Sequence, residues 1–148
     1  MNDALQTLYQ EVIVDHNRNP RHFHVLENAN HKAEGYNPLC GDKLFLYLRM
    51  EDNNITDISF TGEGCAISVA SASLMTECII GKTLEEAECL FQQFHRLLTE
   101  NNYCDCSDLG KLEVLQGVKA FPTRVKCATL AWHTLQAALR EEKEATTE

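Results

Sequence analysis

Apolar residues recur at three- and four-residue intervals through Leu5, Leu8, Tyr9, Val12 and Ile13. That spacing is the helical period and predicts a helix over Ala4–His16. Asn19-Pro20 closes it, because the residue before a proline avoids the α region. The following stretch, Arg21–Lys32, is polar and aperiodic, and reads as a surface connection. From Lys43 to Glu51 the period drops to two, with Leu44, Leu46 and Leu48 on one face and Phe45 and Tyr47 on the other. Asp52-Asn53-Asn54 supplies turn residues, and Ile55–Thr61, carrying Ile58 and Phe60, follows as a partner strand. A further strand is predicted around Ala33–Asn37.

The second half of the chain changes character. Ala66–Ile80 combines small residues with large apolar ones; Val69, Ala70, Ser73, Leu74, Glu77 and Cys78 fit a helix with a closely packing face, stopped at Gly81. Thr83 ahead of Glu85-Glu86 predicts an N-cap and an acidic first turn for a helix from about Leu84 to Glu100. Asn101–Asp108 reads as loop, and Leu109–Gly117 has room for a short helix. Pro122 opens a last helix running to about Lys143, with a frayed tail beyond it. Strands come first and helices later. The expectation is a single α+β domain spanning residues 1–148, a small antiparallel three-stranded sheet covered by helices.

Composition narrows the function. The 148 residues are 44% hydrophobic and 24% charged, ordinary for a soluble protein with a real core. The formal net charge of −9 repels phosphate backbones and anionic lipid, so neither nucleic acid nor a membrane surface is expected as a partner. No apolar run approaches the roughly 20 residues that span a bilayer. The N-terminus has acids where a secretory signal has basic residues. A cytoplasmic protein is expected.

The chain has seven cysteines. An odd number argues against a complete disulfide framework, and in a reducing compartment cysteines serve more often as ligands or reactive thiols. Three sit at conformational breaks. Cys40 lies between Pro38 and Gly41 in NPLCGD, Cys65 follows Gly-Glu-Gly in GEGCAIS, and Cys127 lies near the start of the last helix in FPTRVKCA. Asp42 follows Cys40 by two residues, close enough to face the same way in an extended or turn segment. Three thiolates and one carboxylate complete a tetrahedral zinc shell. Buried structural cysteines fit the same positions. The wide spacing leaves both readings open, since only the fold can bring these residues together.

The segments NPLCGD, FTGEGCAISVASASLMTE and FPTRVKCATLAW closely resemble the SufU proteins, within the superfamily of IscU and the NifU N-terminal domain, which assemble iron–sulfur clusters. The resemblance runs from the first helix to the last. It implies that Cys40, Asp42, Cys65 and Cys127 are metal ligands. Lys126 stands where IscU-type members have a histidine, FPTRV does not reproduce their chaperone-recognition motif, and Asn101–Gly117 looks like the insertion that marks SufU. The resemblance therefore implies a zinc-dependent sulfur acceptor, a partner of a SufS-type cysteine desulfurase rather than a stand-alone enzyme. The alternative is a scaffold on which a [2Fe–2S] cluster is built and passed to apo-proteins. Zinc would keep Cys40 as a protected thiolate until the desulfurase presents its persulfide. Arg124 and Lys126 could offset the negative charge of such a site.

The other candidates carry less. Cys78 falls on an apolar helix face, Cys89 flanks the Ala87, Leu90, Phe91, Phe94 stripe, and Cys104 and Cys106 form a CxC in a polar loop without another ligand type at metal spacing. His133, six residues past Cys127, points away from it on a helix.

Overall fold

The computed structural model describes residues 3–100 and 109–146, residues 3–6 by their backbone alone. Helix α1 covers Asp3–Arg18, and three strands follow: β1 (His31–Asn37), β2 (Asp42–Glu51) and β3 (Asn54–Glu63). Helices α2 (Ala66–Ile79) and α3 (Leu84–Thr99), a 3₁₀ helix (Gly110–Val118) and α4 (Pro122–Leu139) come next, and a short strand β4 (Glu144–Thr146) closes the described chain.

The β1–β2–β3 meander is antiparallel throughout, as the alternating pattern predicts. Asp52 and Asn53 both take positive φ, so the β2–β3 hairpin turns on two residues and Asn54 already pairs with Glu51. That is the backbone that matches the right-handed strand twist. Leu44, Leu46, Leu48, Ile58 and Phe60 are all buried under the helices. Helices α2 and α4 pack against each other, and α4 lies over β1 and β2. Trp132 of α4 is fully buried and stacks on Phe94 of α3, ring centroids 4.8 Å apart. Truncating a buried ring of this kind typically costs about 3–5 kcal/mol.

Three expectations are corrected. The sheet has four strands and is mixed: β4 adds parallel to β1, in the order β3-β2-β1-β4. The tail expected to fray therefore pairs with β1, whose outer edge would otherwise leave a row of backbone groups unpaired. Second, α4 ends at Leu139, not near Lys143. The Glu142 N–H bonds to Ala137 O at 2.8 Å and the Glu141 N–H to Ala138 O at 3.1 Å, with Glu141 left-handed at φ 59°. This is a Schellman stop built on glutamate, without the glycine that usually announces one. Third, the connection at 21–32 is not purely surface. Phe23 bridges to Phe60 on the free edge of β3, their rings edge to face at 5.1 Å, and Leu26 is buried.

The first helix is half right in its pattern. Ile13 is buried and Tyr9 and Val12 pack on the core, but Leu8 is exposed. His16 completes the inner face, its Nδ1 2.7 Å from Ser73 Oγ of α2. Helix α3 starts on the expected cap, and Thr83 and Glu86 exchange side chain-to-backbone bonds at 3.1 and 3.0 Å.

Candidate metal centre

Asn37 and Asp42 face each other as the last pair of the β1–β2 ladder, leaving a four-residue loop, Pro38-Leu39-Cys40-Gly41, between them. The Gly41 N–H closes the loop on Asn37 O at 2.9 Å. Gly41 sits at φ +71°, where a side chain is strained, and the space beside it is open. Cys40 is thus carried on an exposed hairpin tip, whereas Asp42, two residues on, is completely buried.

The second cysteine enters from the β3–α2 connection. Cys65 is the N-cap of α2, and its sulfur accepts the Ser68 N–H at 3.4 Å. Its own N–H donates to Asp42 Oδ1 at 2.8 Å. Gly64 passes so close that a Cβ there would lie 2.5 Å from Asp42 Oδ1. Gly64→Ala is therefore expected to displace the carboxylate or the connection, destabilising the protein by about 1–3 kcal/mol, the usual cost of overpacking. Urea unfolding checks it, and an unchanged midpoint would show that the segment yields freely.

Cys127 arrives from the opposite side, on α4, and is buried with its Sγ 3.3 Å from Cys40 Sγ. That is far longer than a disulfide of about 2.05 Å. It is close to the separation of about 3.8 Å that two sulfurs have when each lies about 2.3 Å from one tetrahedral zinc. The ligand atoms of Cys40, Asp42 and Cys127 all lie within 4.8 Å of one another. Cys65 stands at the margin of this group: its Sγ is 3.9 Å from Asp42 Oδ2, but it falls outside the mutually close set.

Burial pushes the Cys127 thiol far above the ordinary cysteine range, and its hydrogen bonds with Cys40 and Cys65 and the nearby charges of Cys65 and Asp42 push the same way. Among the described residues, no lysine, arginine or histidine stands within 4.0 Å of the Asp42 carboxylate. A buried thiol and a buried carboxylate, Cys127 and Asp42, beside the exposed Cys40 thiol and without a side-chain cation at the carboxylate among the described residues, fit a divalent metal that takes sulfur and oxygen ligands and stabilises their charged forms. Arg124 does not take that role at Asp42. It is exposed and lies 4.5 Å over the Phe121 ring.

Asn37 is the site residue that the sequence reading missed. Its Nδ2 donates to Asp42 Oδ2 at 3.1 Å and to Cys127 Sγ at 3.5 Å, and it is completely buried. An asparagine before proline at a strand end was the available signal, but that pattern normally marks a turn.

Among the described residues, Cys78 and Cys89 do not join the centre. Cys78 is half-buried against the core, and Cys89 is exposed and accepts from Gln93 Nε2 at 3.6 Å. Cys104 and Cys106 lie outside the described residues. His133 packs against Phe91 and faces His95 across α3 and α4, ring centroids 6.4 Å apart; burial first, and the neighbouring His95 second, hold its pKa below the usual value.

The family described as NifU-like N terminal domain matches residues 8–128. The chain is 44% identical over 142 residues to the zinc-dependent sulfurtransferase SufU of Bacillus subtilis (strain 168), which covers 96% of each chain. It is 39% identical over 141 residues to the iron–sulfur cluster assembly scaffold protein IscU of Streptococcus pyogenes serotype M1, covering 95% of this chain and 88% of that one. The crystal structure of the SUF-system protein FiSufU from thermophilic Fervidobacterium islandicum AW-1 superposes with a TM-score of 0.84 at 38% identity, covering 90% of this chain and 98% of that one.

Proposed function

Because this chain belongs to the NifU-like N-terminal domain family, we propose that it is an iron–sulfur cluster assembly protein that carries zinc and accepts sulfur on Cys40. In this reading Cys40, Asp42, Cys65 and Cys127 hold the metal. The sulfur donor is a SufS-type cysteine desulfurase, the chain acts as one domain over residues 1–148, and the reaction runs in the cytoplasm. Among the described residues, no helix is long and apolar enough to cross a membrane.

One observation carries the proposal: an exposed thiol, Cys40, touches a buried thiol, Cys127, beside a buried carboxylate, Asp42. The enclosed residues can keep a metal while the exposed one meets another protein. Zinc, when bound, supplies the positive charge that keeps these thiols ionised at neutral pH, and it has no redox chemistry of its own. The Cys40 thiolate attacks the outer sulfur of the desulfurase persulfide. The partner's sulfur–sulfur bond breaks, a bond forms between Cys40 Sγ and the transferred sulfur, and the desulfurase cysteine leaves as a thiolate. This is thiol–disulfide exchange with no net oxidation. The open space beside Gly41 lets the partner reach the tip.

The test is to purify the protein without oxygen, measure its metal, incubate it with desulfurase and cysteine, and locate the added sulfur by peptide mass. Stoichiometric zinc and one sulfur on Cys40 are expected. A stable visible-absorbing cluster with no sulfur on Cys40 would transfer the assignment to the scaffold reading.

A further inference from the structure

The ligand groups are not equally supported. Asp42 has both oxygens held, Oδ1 by the Cys65 N–H at 2.8 Å and Oδ2 by Asn37 Nδ2 at 3.1 Å. Cys127 Sγ accepts the second Nδ2 hydrogen of Asn37 at 3.5 Å. Cys65 Sγ is anchored by the Ser68 N–H. Cys40 Sγ, by contrast, has Cys127 Sγ as its hydrogen-bond partner among the described residues, and it rides on an exposed loop. One amide thus uses both of its hydrogens to tie the carboxylate of β2 to the thiol of α4.

Asn37 also holds the loop itself. Its Oδ1 accepts the Leu39 N–H at 3.3 Å, and its main-chain oxygen accepts the Gly41 N–H at 2.9 Å. The residue therefore brackets Cys40 on both sides. All of this takes place at zero solvent exposure, where an amide that found no partners would cost about 1–3 kcal/mol.

We infer that Asn37 is a positioning residue that makes Cys40 the exchangeable ligand: by clamping Asp42 and Cys127 to each other, it keeps the metal on the buried side of the site while the exposed thiol is free to leave. The inference rests on the zinc-site reading given above. Hydrogen-bond partners behind metal ligands typically change metal affinity by about 10- to 100-fold when removed, which sets the size of the expected effect.

The experiment compares zinc-loaded wild type, Asn37→Ala and Asn37→Ser, the last keeping a short side-chain donor. Three quantities are read: the rate of zinc transfer to a coloured chelator, the order in which iodoacetamide modifies the cysteines, and the hydrogen exchange of the Leu39 and Cys65 amides. In wild type, Cys40 is modified first and Cys127 stays protected. In Asn37→Ala, zinc transfer is expected to rise about tenfold or more, Cys127 to be modified alongside Cys40, and both amides to exchange faster. Asn37→Ser is expected to fall between the two. A folded Asn37→Ala with wild-type zinc release and Cys127 still protected overturns the proposal. If Asn37→Ala does not fold, Asn37→Ser decides, because wild-type behaviour there overturns it equally. Amide exchange in metal-free protein separates the two levels. Wild type that holds no zinc defeats the zinc reading, while faster Cys65 exchange in the metal-free variant still reports the clamp on Asp42, and unchanged exchange removes it.

Discussion

Cys40→Ser is expected to reduce stimulation of the desulfurase to background while leaving the fold intact. A serine hydroxyl is not ionised at neutral pH and does not attack a persulfide, so the acceptor is lost outright rather than weakened. The fold should tolerate the change, because Cys40 is exposed on the hairpin tip and contributes no side chain to the core. Turnover of the desulfurase with cysteine as substrate, at rising concentrations of each variant, is the measurement. The double replacement of Cys104 and Cys106 should leave that turnover nearly unchanged. An active Cys40→Ser, with sulfur found on Cys104 or Cys106, would move the acceptor into that segment.

Removing the metal should cost the protein much of its thermal stability. The ligands join the β1–β2 loop, the N-terminus of α2 and α4, three elements that meet mainly through this site and the core beneath it. A metal present at about a thousand times its dissociation constant stabilises the folded form by about 4 kcal/mol. For a chain of 148 residues each kcal/mol is worth about 2–4 °C in melting temperature. Chelation under reducing conditions is therefore expected to lower the melting temperature by roughly 10 °C or more, and added zinc to restore it. The reductant matters, because Cys40 Sγ and Cys127 Sγ already lie 3.3 Å apart and are close enough to oxidise once the metal is gone. Identical melting curves with and without metal would show that the site adds nothing to folding.

Much of the architecture was legible because it is locally encoded. The two-residue alternation of Leu44, Leu46 and Leu48 places those side chains on one face of any strand they form, and they are buried as expected. The Thr83–Glu86 capping box needs only four consecutive residues, and both of its bonds are present. The end of α4 was not legible. Its stop uses a glutamate at positive φ, a conformation that composition does not flag, and once the helix ends there the chain is free to reach β1. The fourth strand follows from that unflagged turn.

The candidate site divides along the same line. Local sequence was enough to name the residues able to do the chemistry, three thiols and an acid, with Gly64 where the backbone passes close to Asp42. Tertiary structure alone decided how they differ. Cys127 is buried because α4 lies over β1 and β2, Cys65 is tied because it caps α2, and Cys40 is exposed because the hairpin turns outward. Asn37 became part of the site through a bond to a sulfur 90 residues away in the chain. Local sequence restricts backbone angles and side-chain faces within a few residues; burial, and with it the cost of a charge and the freedom of a thiol, depends on what the rest of the chain packs against it.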